Sequence, residues 1–153
     1  MEQTNITSIN QDLKYHTVGS KYQRNLDIKD ISKDIRSHLN KNFKGFKFSV
    51  RISRYSMGQS LDVSIKGFPK GFVLFSEYNL NCMKNGIEPD FYMSRKGKYS
   101  DEATMLRDYI EKVISSYNYN DSDSMTDYFN VNFYSNVTYC WQMERDLQNK
   151  IRG

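Results

Sequence analysis

The first regular hydrophobic pattern in the chain has the period of an α-helix. After Asp27, apolar residues recur every three or four positions, at Ile28, Ile31, Ile35 and Leu39. Basic side chains fill the other positions, so the pattern predicts a surface helix with one buried stripe. Asp27 is predicted to cap the first turn with its carboxylate, and Gly45 is predicted to stop the helix.

Two strictly alternating segments follow, FKFSVRISR and LDVSI, on either side of a Gly-containing turn. A period of two is typical of half-buried strands, so the pair predicts a β-hairpin whose apolar side receives the helix. With Met57 and Gly58 as the two loop residues, Ile52 would face Val63, and every apolar residue would lie on one side.

A second helix is predicted to begin after Ser100, because Asp101 and Glu102 place negative charge in its first turn. Its apolar stripe consists of Ala103, Leu106, Ile110, Val113, Ile114 and Tyr117. From Tyr128 the chain alternates again and predicts a long strand. Its apolar face would hold Phe129, Val131, Phe133, Val137 and Tyr139, and its polar face Asn130, Asn132, Tyr134, Asn136 and Thr138.

The remaining segments complete the predicted fold. Met143, Leu147 and Ile151 indicate a short terminal helix, with Trp141 as its anchor. In residues 67–99, GFVLFSEYNL is either a third strand or a strand-to-helix segment, and the Gly- and Pro-containing stretch after it is typical of a loop. We therefore predict an α+β fold, with an antiparallel sheet of the hairpin plus at least one further long strand, and with helices packed on one face.

The length of 153 residues fits one domain with its own core. Residues 27–153 are predicted to form this domain, and residues 1–26 a loose arm with a short strand near residues 14–18. No signal-peptide core and no membrane-spanning run is present, so a cytoplasmic location, in the host cell if phage-encoded, is expected.

Charge is divided unevenly along the chain. Residues 1–99 hold 17 Lys and Arg against 9 Asp and Glu, whereas residues 100–153 hold 5 against 9. This layout favours a basic surface for nucleic acid or for an acidic partner, although charge runs are also typical of solvated faces. The outward side of the predicted hairpin and the helix end before it supply the candidates for binding nucleic acid or a partner. They are Lys41, Lys44, Lys47, Arg51, Arg54, Tyr55, Ser60 and Asp62. The alternative is that Arg51 simply pairs with Asp62 or with water on a solvated face.

Metal, cofactor and catalytic motifs are not found. The two Cys and two His share no zinc-ligand spacing, and no phosphate-binding glycine loop is present. The stretch NDSDSMTDYF fails the calcium-loop pattern at Met125, Thr126 and Asn132, so we interpret its aspartates first as turn and capping residues. Secondary candidates for a site there are Asp123, Asp127 and Tyr128. We predict no metal, no cofactor and no catalytic set.

Two segments resemble the large polyvalent protein associated domain family, type twenty-nine. The first segment is similar to a helix of the family's members and to the phrases that follow it, which are like F-P-G-x-K-F-S-V-R and Y-S-x-G-x-S-[IL]-x-V. Lys44 stands where Pro is common. It is carried by Ile35, Arg36, Leu39, Phe43, Gly45, Lys47, Phe48, Ser49, Val50, Arg51, Tyr55, Ser56, Gly58, Ser60, Leu61 and Val63. The second is carried by Ser122, Asp123, Met125, Thr126, Asp127, Tyr128 and Phe129.

The resemblance implies a phage or mobile-element context, in which such modules accompany antirestriction and DNA-modifying domains. The first hypothesis is therefore a non-enzymatic counter-defence inhibitor, of anti-CRISPR or antirestriction type, that binds a host protein or a nucleic-acid-guided complex. The second is a module that binds DNA or RNA through the basic N-terminal two-thirds. A third is an enzyme that uses Asp123 and Asp127. The aromatic-rich composition also permits a homodimer.

Overall fold

A computed structural model of the chain describes residues 16–22, 26–56, 58–121 and 133–153. The first helix, α1 (Ile28–Asn42), buries the predicted stripe, and Gly45 follows it with φ of +88°. The predicted side-chain cap is wrong. The Asp27 carboxylate bonds no amide of the first turn and instead accepts a hydrogen bond from Arg54 at 2.9 Å. The backbone oxygen of Asp27 accepts from Asp30 and Ile31.

The predicted hairpin is present as β2 (Lys47–Tyr55) and β3 (Gly58–Gly67), which pair antiparallel. The predicted register is two residues off, because Tyr55 pairs with Gly58 and Ile52 therefore lies opposite Leu61. Gly58 thus belongs to the strand and not to the loop. A shift of two leaves each side chain on its predicted face, since the side-chain period of a strand is also two.

The third strand, β5 (Tyr134–Tyr139), runs parallel to β3, with Ser60 beside Tyr134 and Ile65 beside Tyr139. The sheet order is β2-β3-β5, so the predicted antiparallel sheet is correct for the hairpin and wrong for the third strand. Parallel neighbours need a long crossover, and residues 68–133 form it. The part of the predicted strand before residue 133 lies outside the described residues.

The described part of the crossover holds three helices, α2 (Glu77–Lys84), α3 (Phe91–Ser94) and α4 (Asp101–Ser115). In α4 the Ser100 hydroxyl accepts from the Ala103 amide at 3.1 Å, which confirms the predicted start. The segment GFVLFSEYNL is the strand-to-helix alternative, since Phe75 makes one bridge to Tyr99 and α2 begins two residues later.

The last helix, α5 (Trp141–Arg152), packs Met143, Leu147 and Ile151 against the core as predicted. Trp141 is 65% exposed, so its predicted role as an anchor is wrong. None of the helices in the described parts of the chain is long and apolar enough to cross a membrane.

Two layers make up the fold. Helix α1 packs along β2 and α4 along β5, and the buried residues of both strands and both helices form one core. A separate two-stranded sheet pairs β1 (His16–Val18), within the predicted short strand, with β4 (Tyr119–Asp121). Among the described elements, the helices therefore cover one face of the three-stranded sheet, and none of the side chains on the opposite face is buried.

Charged side chains from the two long helices reach both outer strands of the sheet. On β2, Arg36 of α1 donates to the Val50 carbonyl oxygen at 3.0 Å. Beside β5, the Glu111 carboxyl of α4 lies close to the backbone amide of Val137. Burial raises the pKa of that carboxyl, and the charge of Arg107 together with the Val137 amide opposes the rise.

His38 provides a test of how α1 meets α4. Its Nε2 atom lies 3.0 Å from the hydroxyl of buried Tyr109, and burial, Lys21 and Lys41 lower its pKa from 6.5. Near and below pH 6.5 the unfolded chain therefore binds more protons than the folded one. The free energy of unfolding consequently decreases as the pH is lowered through this range. When the pH is lowered from about 7.5 to about 5.5, the free energy of unfolding measured in urea should decrease less for His38→Gln than for wild type. Equal losses in both proteins would contradict this burial.

Candidate nucleic-acid interface

The uncovered side of the three-stranded sheet gathers polar and aromatic side chains from three strands. We call it the open face. Strand alternation places on it Lys47, Ser49, Arg51, Ser53 and Tyr55 from β2, Ser60, Asp62, Ser64 and Lys66 from β3, and Tyr134, Asn136 and Thr138 from β5. None of these side chains is buried. The buried residues of the same strands lie on the opposite side of the sheet. The sheet therefore has one apolar side and one polar side, as is typical of a sheet that is covered on one side only.

Two tyrosines form an open slot at the hairpin end of this face. Tyr55 is 48% exposed and Tyr134 is 45% exposed. A methyl group placed on Gly58 would lie 3.5 Å from the Cε2 atom of each ring. The two Cε2 atoms are therefore at most about 7 Å apart, which is two van der Waals contacts. Because Gly58 has no side chain, nothing from that position fills the gap between the two ring edges, and both half-exposed rings are available for stacking. We call this feature the tyrosine slot.

Arg51 and Asp62 lie opposite each other in the middle of the open face. Within the part of the chain that the structure describes, they form no ion pair with each other. Of the two partners expected for Arg51 on a solvated face, Asp62 is therefore not the one that it contacts, and its exposed position leaves water. Both line a shallow pocket of about 220 Å³, together with Ser49, Ser64, Lys66 and Thr138. Guanidinium, carboxylate and hydroxyl groups are thus presented together to a ligand.

The end of the open face away from the tyrosine slot is basic. Lys47 pairs with Gly67, whereas the next residue, Phe48, pairs with Ile65. Lys66 is therefore the extra residue of an irregularity in the register. The aliphatic stem of Lys47 lies against Gly67, where a methyl group would meet its Cβ, Cγ and Cδ atoms at 3.4 Å. Packing of the stem orders the chain and leaves the ammonium group in water. Aromatic rings, a central arginine and two lysines therefore follow one another along the sheet.

Comparison with known protein families identifies the chain. The model of large polyvalent protein associated domain 29 matches residues 26–143, most of the 153 residues. The chain belongs to this family. Membership associates it with phages and mobile elements. No curated protein and no solved structure matches the chain.

The two phrases of the first segment that resembles the family lie in and just before the hairpin of this type 29 domain. Their residues divide between the two sides of the sheet: Val50, Leu61 and Val63 are in the core, whereas Arg51 and Tyr55 are on the open face. The second segment, with candidates Asp123, Asp127 and Tyr128, lies outside the described residues. The hairpin is therefore the part of the family pattern for which a surface can be described.

Five of the residues predicted to bind nucleic acid or a partner come together on the open face. They are Lys47, Arg51, Tyr55, Ser60 and Asp62. Arg54 points to the helix side, where it pairs with Asp27 at 2.9 Å. Lys41 is in the last turn of α1 and Lys44 in the turn after it, both exposed but off the sheet. Sequence reasoning missed Tyr134, although its place on the polar side of the third strand was a usable signal.

The side chains of the open face can be sorted by the chemistry that they offer. Among the described residues, no group of three or more His, Cys, Asp or Glu side chains is placed to hold a metal ion. Its side chains offer stacking surfaces, charge and hydrogen bonds, which are the means by which proteins hold flexible anionic polymers.

Proposed function

We propose that this type 29 domain binds single-stranded nucleic acid across its open face. The observation that carries the proposal is the tyrosine slot, in line with Arg51 and with the lysines at the far end of the same face. Bases of a single strand stack on the rings, and phosphates of the same strand contact the cations.

A single strand fits this surface better than a duplex does. The rings of Tyr55 and Tyr134 need an unpaired base with an accessible face, which a duplex hides inside its stack. Nine-residue β2 gives a track of about 27 Å between Tyr55 and Lys47. That length suits the shortest single-strand sites, of about 4 nucleotides.

The charge of the open face supports the same ligand. It carries Lys47, Arg51 and Lys66 against Asp62, so the excess is positive even though residues 100–153 are acidic overall. Asp62 adds an acceptor beside Arg51, which is suited to the amino groups at the edge of a base. The hydroxyls of the neighbouring serines and of Thr138 add contacts to phosphate or sugar.

In a phage or mobile-element setting, such binding gives the counter-defence hypothesis a physical form. A domain that holds single strands can occupy an exposed guide or target strand of a host nucleic-acid-guided complex in the host cytoplasm. Inhibition then comes from competition for the strand, with no reaction catalysed. The proposed role as an anti-CRISPR or antirestriction inhibitor therefore depends on this binding.

The salt dependence of binding tests the proposal. A labelled single-stranded oligonucleotide of about 12 nucleotides should bind, and log K should fall with log[salt] with a slope near −2 for three phosphate contacts. Arg51→Ala, Lys47→Ala and Lys66→Ala should each reduce the magnitude of that slope by about 0.7. Fluorescence anisotropy at several salt concentrations measures both quantities.

The matched control is Lys33→Ala, which removes the same charge from an exposed position on α1, on the helix side of the sheet. It should leave the slope unchanged. Absence of binding at low salt, preference for duplex, or an equal change in slope for Lys33→Ala would refute the proposed role of the open face.

A further inference from the structure

A second group of aromatic and cationic side chains lies off the open face, at the start of α5. Trp141 is the only tryptophan in the chain and is 65% exposed. Arg145, one turn later, holds its guanidinium carbon 5.2 Å from the centroid of the indole. The pair is solvent-facing, so it contributes little to the core. An exposed indole with a stacked guanidinium offers a flat apolar surface and a positive charge at one point.

A buried network builds a pocket beside this pair. Glu144 is buried, and its carboxylate accepts hydrogen bonds from Lys98 Nζ at 2.9 Å and from the Tyr99 hydroxyl. Burial, reinforced by Glu144, raises the pKa of Tyr99 well above its usual range, so the hydroxyl remains a donor. Glu144 therefore serves to position Lys98. The resulting pocket has a volume of about 290 Å³ and is lined by Lys98, Trp141, Glu144, Arg145 and Gln148.

The charge around this pocket is positive. Glu144 is paired with Lys98, and among the described residues no carboxylate forms an ion pair with Arg145 at the pocket wall. The loop that carries Lys98 also holds Arg95 and Lys96, and both are exposed. A ligand that stacks on Trp141 is therefore favoured if it is anionic close to its ring. A nucleotide unit, with a base next to a phosphate, has this chemistry.

The position of Trp141 relates the pocket to the open face. The Cys140 amide donates to the Ile65 carbonyl oxygen at 2.8 Å, so Trp141 follows directly at the end of the sheet where Lys66 stands. Along β5, Trp141 is about 20 Å from Tyr134 at the tyrosine slot. The pocket itself adjoins the helix side, since Glu144 contacts Tyr99 and the Tyr99 ring packs on buried Tyr139. A strand that follows the open face toward Lys66 therefore reaches Trp141 by passing round the end of the sheet.

We propose that Trp141, Arg145 and Lys98 form a second stacking site for the same single-stranded nucleic acid. The inference rests on the proposed function and extends it, because the ligand continues beyond the sheet. One base stacks on the outer surface of the indole, and the adjacent phosphate accepts hydrogen bonds from Arg145 and Lys98. Strands too short to leave the open face do not gain this contact.

The fluorescence of the single tryptophan provides a direct test. Wild-type protein is titrated with oligothymidylates of about 4 and about 12 nucleotides, with binding followed by anisotropy of a label on the oligonucleotide. The longer strand should quench Trp141 emission in parallel with the anisotropy signal, because a base stacks on the ring. Oligouridylate in place of oligothymidylate shows whether RNA or DNA is preferred, and quenching by either supports the site.

Trp141→Ala should weaken binding of the longer strand roughly 5- to 100-fold, the range for one lost stacking contact, and leave the shorter strand within about 2-fold. The control Gln142→Ala changes an exposed residue in the same helical turn and should alter neither length. Binding of the longer strand with no quenching and no effect of Trp141→Ala would overturn the second site while the proposed function stands. No anisotropy change with either length would overturn both.

Discussion

Alanine at both Tyr55 and Tyr134 should weaken binding of a single-stranded oligonucleotide of about 12 nucleotides by at least about 30-fold. Each ring is expected to contribute about 1–3 kcal/mol by stacking on a base, and every 1.4 kcal/mol is a tenfold change in affinity. Anisotropy titration at constant salt measures the loss. Both side chains are half exposed, so their removal should affect stability much less than binding.

The matched control is the double variant Tyr55→Phe and Tyr134→Phe, which keeps both rings and removes only the hydroxyls. It should bind within about 3-fold of wild type if stacking dominates. If the phenylalanine variant lost as much affinity as the alanine variant, the hydroxyls would be the important groups and the tyrosine slot would not act by stacking. Alanine variants that bind normally would remove the main support for the proposed function.

Leu61→Ala should lower the free energy of unfolding by about 2–5 kcal/mol, as is typical for truncation of a buried leucine. Leu61 is 0% exposed at the centre of β3, beside Ile52 of β2 and on the side covered by the helices. The loss combines the transfer of its side chain to water with the cavity left behind. Chemical denaturation with an unchanged m-value measures it.

Ser60→Ala is the control for this variant, since it changes the adjacent residue of the same strand on the open face. It should change stability by no more than about 0.5 kcal/mol, as is usual for surface positions. Comparable losses for the two variants would show that both faces of the sheet are covered. The pair therefore tests the one-sided sheet without reference to any ligand.

Much of the fold could be predicted from the sequence, because the period of the apolar residues reports which side chains face the core. The stripe from Ile28 to Leu39, the helix after Ser100 and the alternation around Gly58 were all assigned on that basis and are confirmed. The hairpin register was wrong by two residues. Alternation could not detect that error, since registers that differ by two bury the same residues.

The direction of the third strand could not be predicted from its pattern. Side chains alternate in parallel and antiparallel strands alike, and a half-polar strand such as β5 is more typical of antiparallel sheets. The parallel pairing follows from the crossover through α2 and α4, and α2 was itself ambiguous in the sequence. For the same reason, Tyr134 could be placed on a polar face but not beside Ser60.

The candidate site shows the same division between local and long-range information. Arg51, Tyr55 and Asp62 could be grouped because they share one side of a single hairpin. Arg54 was included because of its charge, although it has the same parity as Ile52 and therefore belongs on the helix side. Trp141 was expected to anchor the terminal helix, and no local pattern indicated that its side chain would be exposed.

The hydrogen bond from Arg36 to the Val50 carbonyl oxygen has a consequence for the behaviour of the protein at high concentration. A small sheet with open edges is prone to pair with the edge of a neighbouring molecule and to grow into aggregates. Here a charged helix side chain occupies a backbone acceptor of the outer strand β2, and an incoming strand would have to displace it. Arg36 therefore opposes edge-to-edge association of two molecules along β2.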